Sequence, residues 1–198
     1  SAAMTRFLMA FLLVPALAAA ATYPRQPGVD AIHYVFRLSL GDASDEIAGQ
    51  TTVTVKFVTD GVREVVLDLT SAAAGKGMSV RSVEKLPFTH ENNRLRVTLP
   101  APSRAGQEFS FTVTYAGIPG AGLHIGPNIH GERTFFSDSW PNEARQWLPA
   151  IDHPYDKATS EFIVTAPSHY QVVSNGLLVE EIDLAGGERR THWKQSVP

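Results

Sequence analysis

Apolar and polar residues alternate along much of the chain after residue 30, with the period of two that is typical of a half-buried β-strand. The first alternating stretch places on one face the residues Ile32, Tyr34, Phe36, Leu38 and Leu40. After a turn cluster at 41–45, a second stretch places on one face Ile47, Gly49, Thr51, Val53, Val55 and Phe57. The pattern predicts two long strands that are neighbours in the chain.

Shorter alternating stretches follow, separated by clusters of Gly, Pro, Asn and Asp. They predict strands near 65–69, 78–86, 94–99, 109–115, 134–136, 162–164, 172–173, 177–184 and 189–194. The segment 90–93 is interpreted as a hairpin turn between 78–86 and 94–99, and the Gly-rich segment 117–131 as irregular. No amphipathic helix, internal repeat or linker is predicted after residue 22. The expected fold is therefore all-β, an antiparallel β-sandwich of short strands, in one domain over residues 22–198.

The start of the chain has a different pattern. Phe7–Ala21 carries no polar side chain, Arg6 precedes it, and small residues end it. The run is too short for a typical membrane-spanning helix, and it predicts a secretory signal peptide over about residues 4–21, cleaved after Ala20 or Ala21. A buried helix or a lipid-facing anchor is the alternative. Ser1–Ala3 is interpreted as a remnant of cloning, and the mature chain is expected to be periplasmic or secreted, without a stable membrane anchor.

Composition and charge exclude several functions. The 198 residues carry a net charge of −3, so no basic surplus exists to neutralise phosphates, and nucleic acid is not an expected partner. Hydrophobic residues make up 43% and charged residues 19%, which is compatible with a packed core. The chain has no cysteine, and this excludes disulfides, thiolate-bound zinc, iron–sulfur clusters and thiol catalysis.

The seven histidines raise the question of a metal site. His90-Glu91-Asn92-Asn93-Arg94 is the nearest approach to the zinc motif HExxH, but it ends in Arg and lies in a predicted turn rather than a helix. His124 and His130 are expected to be scattered surface residues. Neither a phosphate-binding glycine loop nor a GxSxG elbow is present. The sequence therefore predicts no metal ligand and no catalytic residue in this chain.

The most unusual segment is 140–158, a loop with two Trp, three Pro and paired charges. Trp147 and Leu148 are expected in the core, and Trp140 is expected either to be exposed or to pack under the loop. Around Arg145 and Lys157 lies an acidic group made of Asp138, Glu143, Asp152 and Asp156. Such carboxylates serve either as a glycosidase pair or as charged hydrogen-bond partners that hold a loop, and the second interpretation is favoured.

Five spaced elements in this region carry a resemblance. They are Ala144-Arg145, Leu148-Pro149, Asp152-His153-Pro154, Lys157-Ala158 and Ser174-Asn175. Together with the opening strands HYVFRLSL and EIAGQTTVTV, they resemble the N-terminal domain of the aminopeptidase N family of zinc metallopeptidases (gluzincin aminopeptidases) over about residues 31–198. The resemblance implies a β-sandwich or saddle. It also implies that the catalytic domain, with its HExxH and Gly-x-Met-Glu-Asn motifs, follows in the same polypeptide, since neither motif occurs here.

The resemblance further implies a role for three residues. In the family this domain caps the substrate cleft and supplies a Gln or Glu that binds the amino end of the peptide, five residues before the Arg of the Ala-Arg pair. Trp140 stands at that position here, with Asp138 and Glu143 nearby, so these three are the expected substrate-binding residues. Zinc is expected only in the full-length parent, and this chain alone is expected to be inactive.

Two other functions stay open from the sequence. A non-catalytic module that binds proteins or peptides would use an exposed aromatic loop and a free sheet edge. A carbohydrate-binding sandwich would use Trp140, Trp147 and Tyr155 as stacking faces. Binding to an insoluble polysaccharide would support the latter.

Overall fold

A computed structural model describes residues 23–198, and the predicted signal peptide lies outside the described residues. The described chain forms twelve strands and one short 3-10 turn. The strands are β1 Val29–Ser39, β2 Ile47–Phe57, β3 Glu64–Asp68, β4 Gly77–Val83, β5 Phe88–Glu91, β6 Arg94–Thr98, β7 Glu108–Ile118, β8 Leu123–Pro127, β9 Arg133–Ser137, β10 Thr159–Pro167, β11 Leu177–Leu184 and β12 Glu188–Gln195. The 3-10 turn is Ala144–Gln146. Within the described residues, no helix is long and apolar enough to cross a membrane.

The strands form three sheets. The large sheet has seven strands in the order β11-β12-β10-β1-β2-β7-β4, a second sheet has the order β3-β6-β5, and β8 and β9 pair as a hairpin. Inward residues of the two larger sheets belong to one hydrophobic cluster, which includes Phe57, Phe111, Leu67 and Leu95. The all-β prediction is therefore confirmed, and both sheets share a single core.

The prediction that all strands are antiparallel is wrong at one junction. β1 pairs with β10 in parallel, with His33 opposite Thr159, so the large sheet is mixed. The other pairs of this sheet are antiparallel. Parallel neighbours need a long crossover, and here the chain between β1 and β10 contains most of the domain.

A β-bulge changes the predicted face of the first strand. The register of β1 against β2 shifts between Ala31 and His33. Ala31 is therefore fully buried, whereas Ile32 is only partly buried, and the predicted alternation holds from Tyr34 onward. An extra residue in one strand has this effect because it reverses the side-chain alternation beyond it.

Three local predictions are also wrong. His90 and Glu91 lie in β5, and the turn to β6 consists of Asn92 and Asn93 alone, both with positive φ, as a two-residue hairpin turn requires. The strand that begins near residue 78 ends at Val83 and pairs with β7 rather than with β6. The segment 117–131, predicted to be irregular, contains β8, which pairs with β9.

No strand forms at 172–173, where one was predicted. The carbonyl of Val172 instead accepts a hydrogen bond from the indole N–H of Trp193, at 3.2 Å. Val172 packs partly against the core and Val173 is exposed. This segment therefore lies outside the sheet, and it forms one wall of the cleft described below.

Candidate functional site

The loop between β9 and β10 contains the residues that the sequence singled out. Residues 138–152, called here the Trp140 loop, begin with a bond from the Asp138 N–H to the Gly122 carbonyl at 2.9 Å. The Trp140 N–H then donates to Asp138 Oδ1 at 3.3 Å, so these two residues lie side by side. The 3-10 turn follows and leads into Trp147 and Leu148, each only 5% exposed. The predicted core position of Trp147 and Leu148 is confirmed.

Gly122 lets the Trp140 loop lie close to the β8–β9 hairpin. Its φ is +75°, which disfavours other residues, and a Cβ there would lie 2.2 Å from the Glu143 carbonyl oxygen and 3.1 Å from Trp147 Cδ1. The β8–β9 hairpin, which the sequence did not predict, thus packs against the Trp140 loop.

An apolar cleft of about 1000 Å³ opens beside this loop. Its floor is the inner face of β1 and β10, and its walls are the β8–β9 hairpin, the Trp140 loop and the segment 170–175. Asp138 and Trp140 line it, and Trp140 is 80% exposed, so its ring does not pack under the loop. Phe136 and Val173 are also exposed at its edge, so the cleft has an apolar rim.

The third predicted residue, Glu143, does not line this cleft. Its backbone faces Gly122 and its N–H donates to the Ser139 carbonyl at 3.0 Å. Its Oε2 atom is buried and has no hydrogen-bond partner among the described residues. The structure therefore brings Asp138 and Trp140 together and sets Glu143 apart from them.

A buried charge that the sequence pattern did not predict lies next to the other end of the Trp140 loop. Asp68, the last residue of β3, is fully buried. Its Oδ2 accepts hydrogen bonds from the Tyr23 hydroxyl and from the Asp152 N–H, the latter at 3.0 Å. Arg94 Nη1 lies 2.8 Å from Oδ1 without hydrogen-bond alignment, and Arg145 Nη2 lies 3.8 Å from Oδ2. Asp68 is thus a shared counter-ion of two guanidinium groups.

Tyr23 completes this cluster. Its ring stacks on His153, with centroids 4.5 Å apart, and Arg94 lies over it at 5.3 Å. Burial raises the pKa of the Tyr23 phenol well above its usual range, and its hydrogen bond to Asp68 raises it further. The phenol therefore stays protonated and remains a donor to the Asp68 carboxylate.

A second charged cluster lies on the large sheet. The Glu161 carboxylate lies 2.7 Å from His192 Nε2, 3.1 Å from Lys194 Nζ and 3.4 Å from His33 Nε2. Burial pushes the pKa of Glu161 upward, but the hydrogen bonds from Lys194 and His192 outweigh it and hold the pKa below its usual value. These contacts join β1, β10 and β12 across the mixed part of the sheet. The cluster therefore stabilises the sheet by pairing charged side chains of neighbouring strands.

No group of three or more His, Asp or Glu in residues 23–198 is arranged to hold a metal ion. His90 Nε2 lies 2.9 Å from the Leu69 carbonyl oxygen, a structural contact, and His124 and His130 are exposed, as the sequence predicted. The described part of the chain therefore does not fit zinc.

Asp156, in the same segment as the Trp140 loop, has an unfavourable environment for its charge. Burial raises its pKa from 3.8 to about 6, the Ala31 N–H at 3.4 Å opposes this, and the charge of Asp30 adds to it. Because the folded pKa lies above the unfolded one, the folded state binds more protons between pH 4 and 6, and stability falls as the pH rises through that window.

We expect Asp156→Asn to raise the free energy of unfolding by about 1 kcal/mol at pH 7.5, since partial exposure screens part of the roughly 3 kcal/mol that two pKa units represent. Near pH 4 the variant and the wild type are expected to be equally stable, because the folded wild type is then protonated. Urea unfolding at the two pH values measures the difference. An equal gain at both would contradict the assignment to ionisation.

Comparison with known proteins agrees with this architecture. The family model of the peptidase M1 N-terminal domain matches residues 30–198, and the chain belongs to that family. The resemblance noted in the sequence is thereby confirmed. A comparison with curated proteins found no match.

Solved structures share the fold. The M1 zinc metallopeptidase from Deinococcus radiodurans is 29% identical, with a TM-score of 0.74, over 87% of this chain and 40% of that protein. A variant of a two-domain M1 zinc metallopeptidase bound to L-tryptophan is 27% identical, with a TM-score of 0.74 and the same coverage. Native yeast LTA4 hydrolase, 20% identical over 91% of this chain and 30% of that protein, shows the same fold with a TM-score of 0.68. The chain thus spans well under half the length of these proteins.

Proposed function

We propose that this chain is the substrate-cleft-capping domain of a secreted or periplasmic zinc aminopeptidase, and that its partners are a catalytic domain of the same polypeptide and a peptide substrate. Membership of the peptidase M1 N-terminal domain family supports the class of parent enzyme. The relatives named as M1 zinc metallopeptidases are longer than this chain, which leaves room in them for a catalytic domain. Export rests on the apolar pattern of residues 7–21 alone.

The observation that carries the proposal is the position of Trp140 and Asp138 at the edge of the apolar cleft. A peptide's amino end is an ammonium group next to a side chain. The Trp140 face attracts a cation, and the Asp138 carboxylate accepts charge-assisted hydrogen bonds from one. The cleft beside them offers apolar surface to the side chain.

Zinc, when held by the catalytic domain, would supply Lewis-acid chemistry at the peptide carbonyl. The described residues of this chain do not form a zinc site, so their contribution is to bind and orient. We therefore expect the 198-residue chain alone to hydrolyse no peptide, and the complete protein to release amino-terminal residues in a chelator-sensitive reaction. Absence of hydrolysis by the complete protein, with zinc supplied, would overturn the proposal.

Trp140→Glu tests the role of the site in the complete protein. A carboxylate at this position would form a charge-assisted hydrogen bond with the free amino end, worth about 1.5–3 kcal/mol. We expect kcat/KM for free peptides relative to N-acetylated ones to rise about tenfold, which corresponds to about 1.4 kcal/mol. The ratio is measured with matched peptide pairs.

Ile129→Glu is the matched control, because Ile129 is 95% exposed and lies outside the cleft. It adds the same charge to an exposed apolar position and is expected to leave the ratio unchanged. An equal rise in both variants would show a general effect of charge, and no rise in Trp140→Glu would remove Trp140 from the substrate site.

A non-catalytic interaction module is the second candidate, and the exposed apolar rim of the cleft favours it. Phe136, Trp140 and Val173 are 62%, 80% and 73% exposed, and such contiguous apolar surface marks binding sites. This function predicts saturable binding of a protein or peptide by the complete protein without hydrolysis. The peptide-hydrolysis assay on the complete protein therefore distinguishes the two candidates.

A further inference from the structure

The charge of Asp68 calls for an explanation, because a buried carboxylate is costly unless it is paired. Its side chain is fully buried, and its contacts come from three separate parts of the chain. Tyr23 precedes β1, Arg94 begins β6, and Arg145 and Asp152 belong to the Trp140 loop. Apolar residues of similar size would satisfy packing alone, so the charge has a more specific role.

The contacts of Asp68 with the Trp140 loop are the most extensive. Its own backbone pairs with Ala150, with N···O distances of 2.8 and 3.3 Å in the two directions. Its carboxylate accepts from the Asp152 N–H and faces Arg145. The next contact along the chain is of the same kind, since the Thr70 N–H donates to the Arg145 carbonyl at 2.8 Å. The end of β3 therefore fixes the backbone of this loop through several hydrogen bonds.

Arg145 connects these contacts to the front of the loop. Its Nε donates to the Asn142 carbonyl at 3.1 Å and to Asp152 Oδ2 at 2.9 Å, and its Nη2 donates to the Asp152 carbonyl at 2.9 Å. Arg145 thus closes the loop on itself between Asn142 and Asp152. Asn142 lies two residues from Trp140, so the guanidinium sets the path of the segment that carries the cleft residues.

We propose that Asp68 and Arg145 are positioning residues, which hold the Trp140 loop so that Trp140 and Asp138 stay at the edge of the apolar cleft. This role rests on the proposed function of that cleft. Neither residue lines that cleft. Asp68 fixes Arg145 and the Ala150–Asp152 end of the loop, and Arg145 transmits this constraint to Asn142.

Arg94 offers a matched control. It lies closer to the Asp68 carboxylate than Arg145 does, at 2.8 Å against 3.8 Å, but it has no hydrogen bond or ion pair with the described Trp140 loop. Arg94→Met therefore removes a charge partner of Asp68 without removing a loop contact. If Asp68 contributed only to the stability of the whole domain, Arg94→Met and Asp68→Asn would change amide exchange in the Trp140 loop alike.

Hydrogen exchange measured by mass spectrometry on the 198-residue chain tests the inference. In peptides that cover 142–149, we expect Asp68→Asn and Arg145→Met each to speed amide exchange at least about tenfold, while β2 and β7 are unchanged. Arg94→Met is expected to leave 142–149 within about twofold of the wild type. If Asp68→Asn does not fold, Arg145→Met still tests the inference. In that variant Asp68 keeps Arg94 as its charge partner, so its buried carboxylate stays paired.

Unchanged exchange in Asp68→Asn and Arg145→Met would overturn the inference, and so would an equal acceleration in Arg94→Met. In the complete protein, Arg145→Met is further expected to raise KM for peptides at least about fivefold with kcat within about twofold, while Arg94→Met changes neither. The exchange experiment needs no substrate. If the complete protein hydrolysed no peptide, the proposed function would fail while the exchange result would still decide whether Asp68 and Arg145 order the loop.

Discussion

We expect Trp147→Ala to lower the free energy of unfolding by about 3–5 kcal/mol, the cost of removing a large buried aromatic side chain and leaving a cavity. Trp147 is 5% exposed, its ring centroid lies 6.3 Å from that of Phe162, and a Cβ at Gly122 would lie 3.1 Å from its Cδ1. The ring thus connects the Trp140 loop to β10 and to the β8–β9 hairpin. Urea unfolding followed by circular dichroism at 25 °C measures the loss.

Trp140→Ala is the control for this variant, because it removes the same side chain from a position that is 80% exposed. Its effect on stability is expected to stay within about 0.5 kcal/mol, as for surface substitutions generally. The two tryptophans are seven positions apart in one loop. Equal losses in the two variants would show that the Trp140 ring is packed rather than available for binding.

Gly49→Ala is the second substitution with a large expected effect, about 2–3 kcal/mol of stability lost through overpacking. Gly49 lies opposite Tyr115 in the β2–β7 pair, and a Cβ at this position would lie 2.3 Å from Tyr115 Cζ and 2.6 Å from its hydroxyl oxygen. The tyrosine ring is 1% exposed and fills the space that a side chain would need. It has little room to move in a close-packed core.

Two controls separate this clash from other effects of adding a methyl group. Gly41→Ala is expected to be neutral, because nothing lies within 4 Å of the added Cβ. In a Tyr115→Leu background, Gly49→Ala is expected to cost much less than in the wild type, since the ring is gone. Strict additivity in this double-mutant cycle, measured by urea unfolding, would contradict a contact between the two residues.

Local alternation was sufficient to predict the long strands. β1 and β2 were predicted to within about three residues because one face of each is buried and the other is more polar. The parallel junction of β1 with β10 could not be predicted in the same way. It joins residues 126 positions apart, such as His33 and Thr159, and pairing between distant strands leaves no periodic signal in either.

Two predictions failed in opposite directions: β8 was predicted to be irregular and is a strand, whereas 172–173 was predicted to be a strand and is irregular. β8 is short and contains Gly126 and Pro127, so turn-forming residues hid a strand whose bonds are made to β9. Val172 and Val173 have high β-propensity, yet their segment forms no strand, and the Val172 carbonyl accepts a side-chain hydrogen bond from Trp193. Tertiary contacts determine both cases.

The candidate site was only partly predictable. The burial of Trp147 was predicted, whereas the sequence left open whether Trp140 is exposed or packs under the loop. Asp68 was missed because a single Asp at the end of a strand is a common surface pattern. The informative signal was its setting in VVLDL, where a charge follows three apolar, buried or half-buried positions of an edge strand. Only the fold shows that two arginines from other elements meet there.

The single parallel junction has a consequence for the synthesis of the protein. β10, β11 and β12 join the rest of the large sheet only through the β1–β10 pair. As the chain emerges from its amino end, β1, β2, β7 and β4 are all available once residue 118 has appeared, but one edge of β1 stays unpaired until residues 159–167 follow. Unpaired strand edges associate with other chains. A polypeptide released before β10 is complete is therefore expected to self-associate through the free edge of β1.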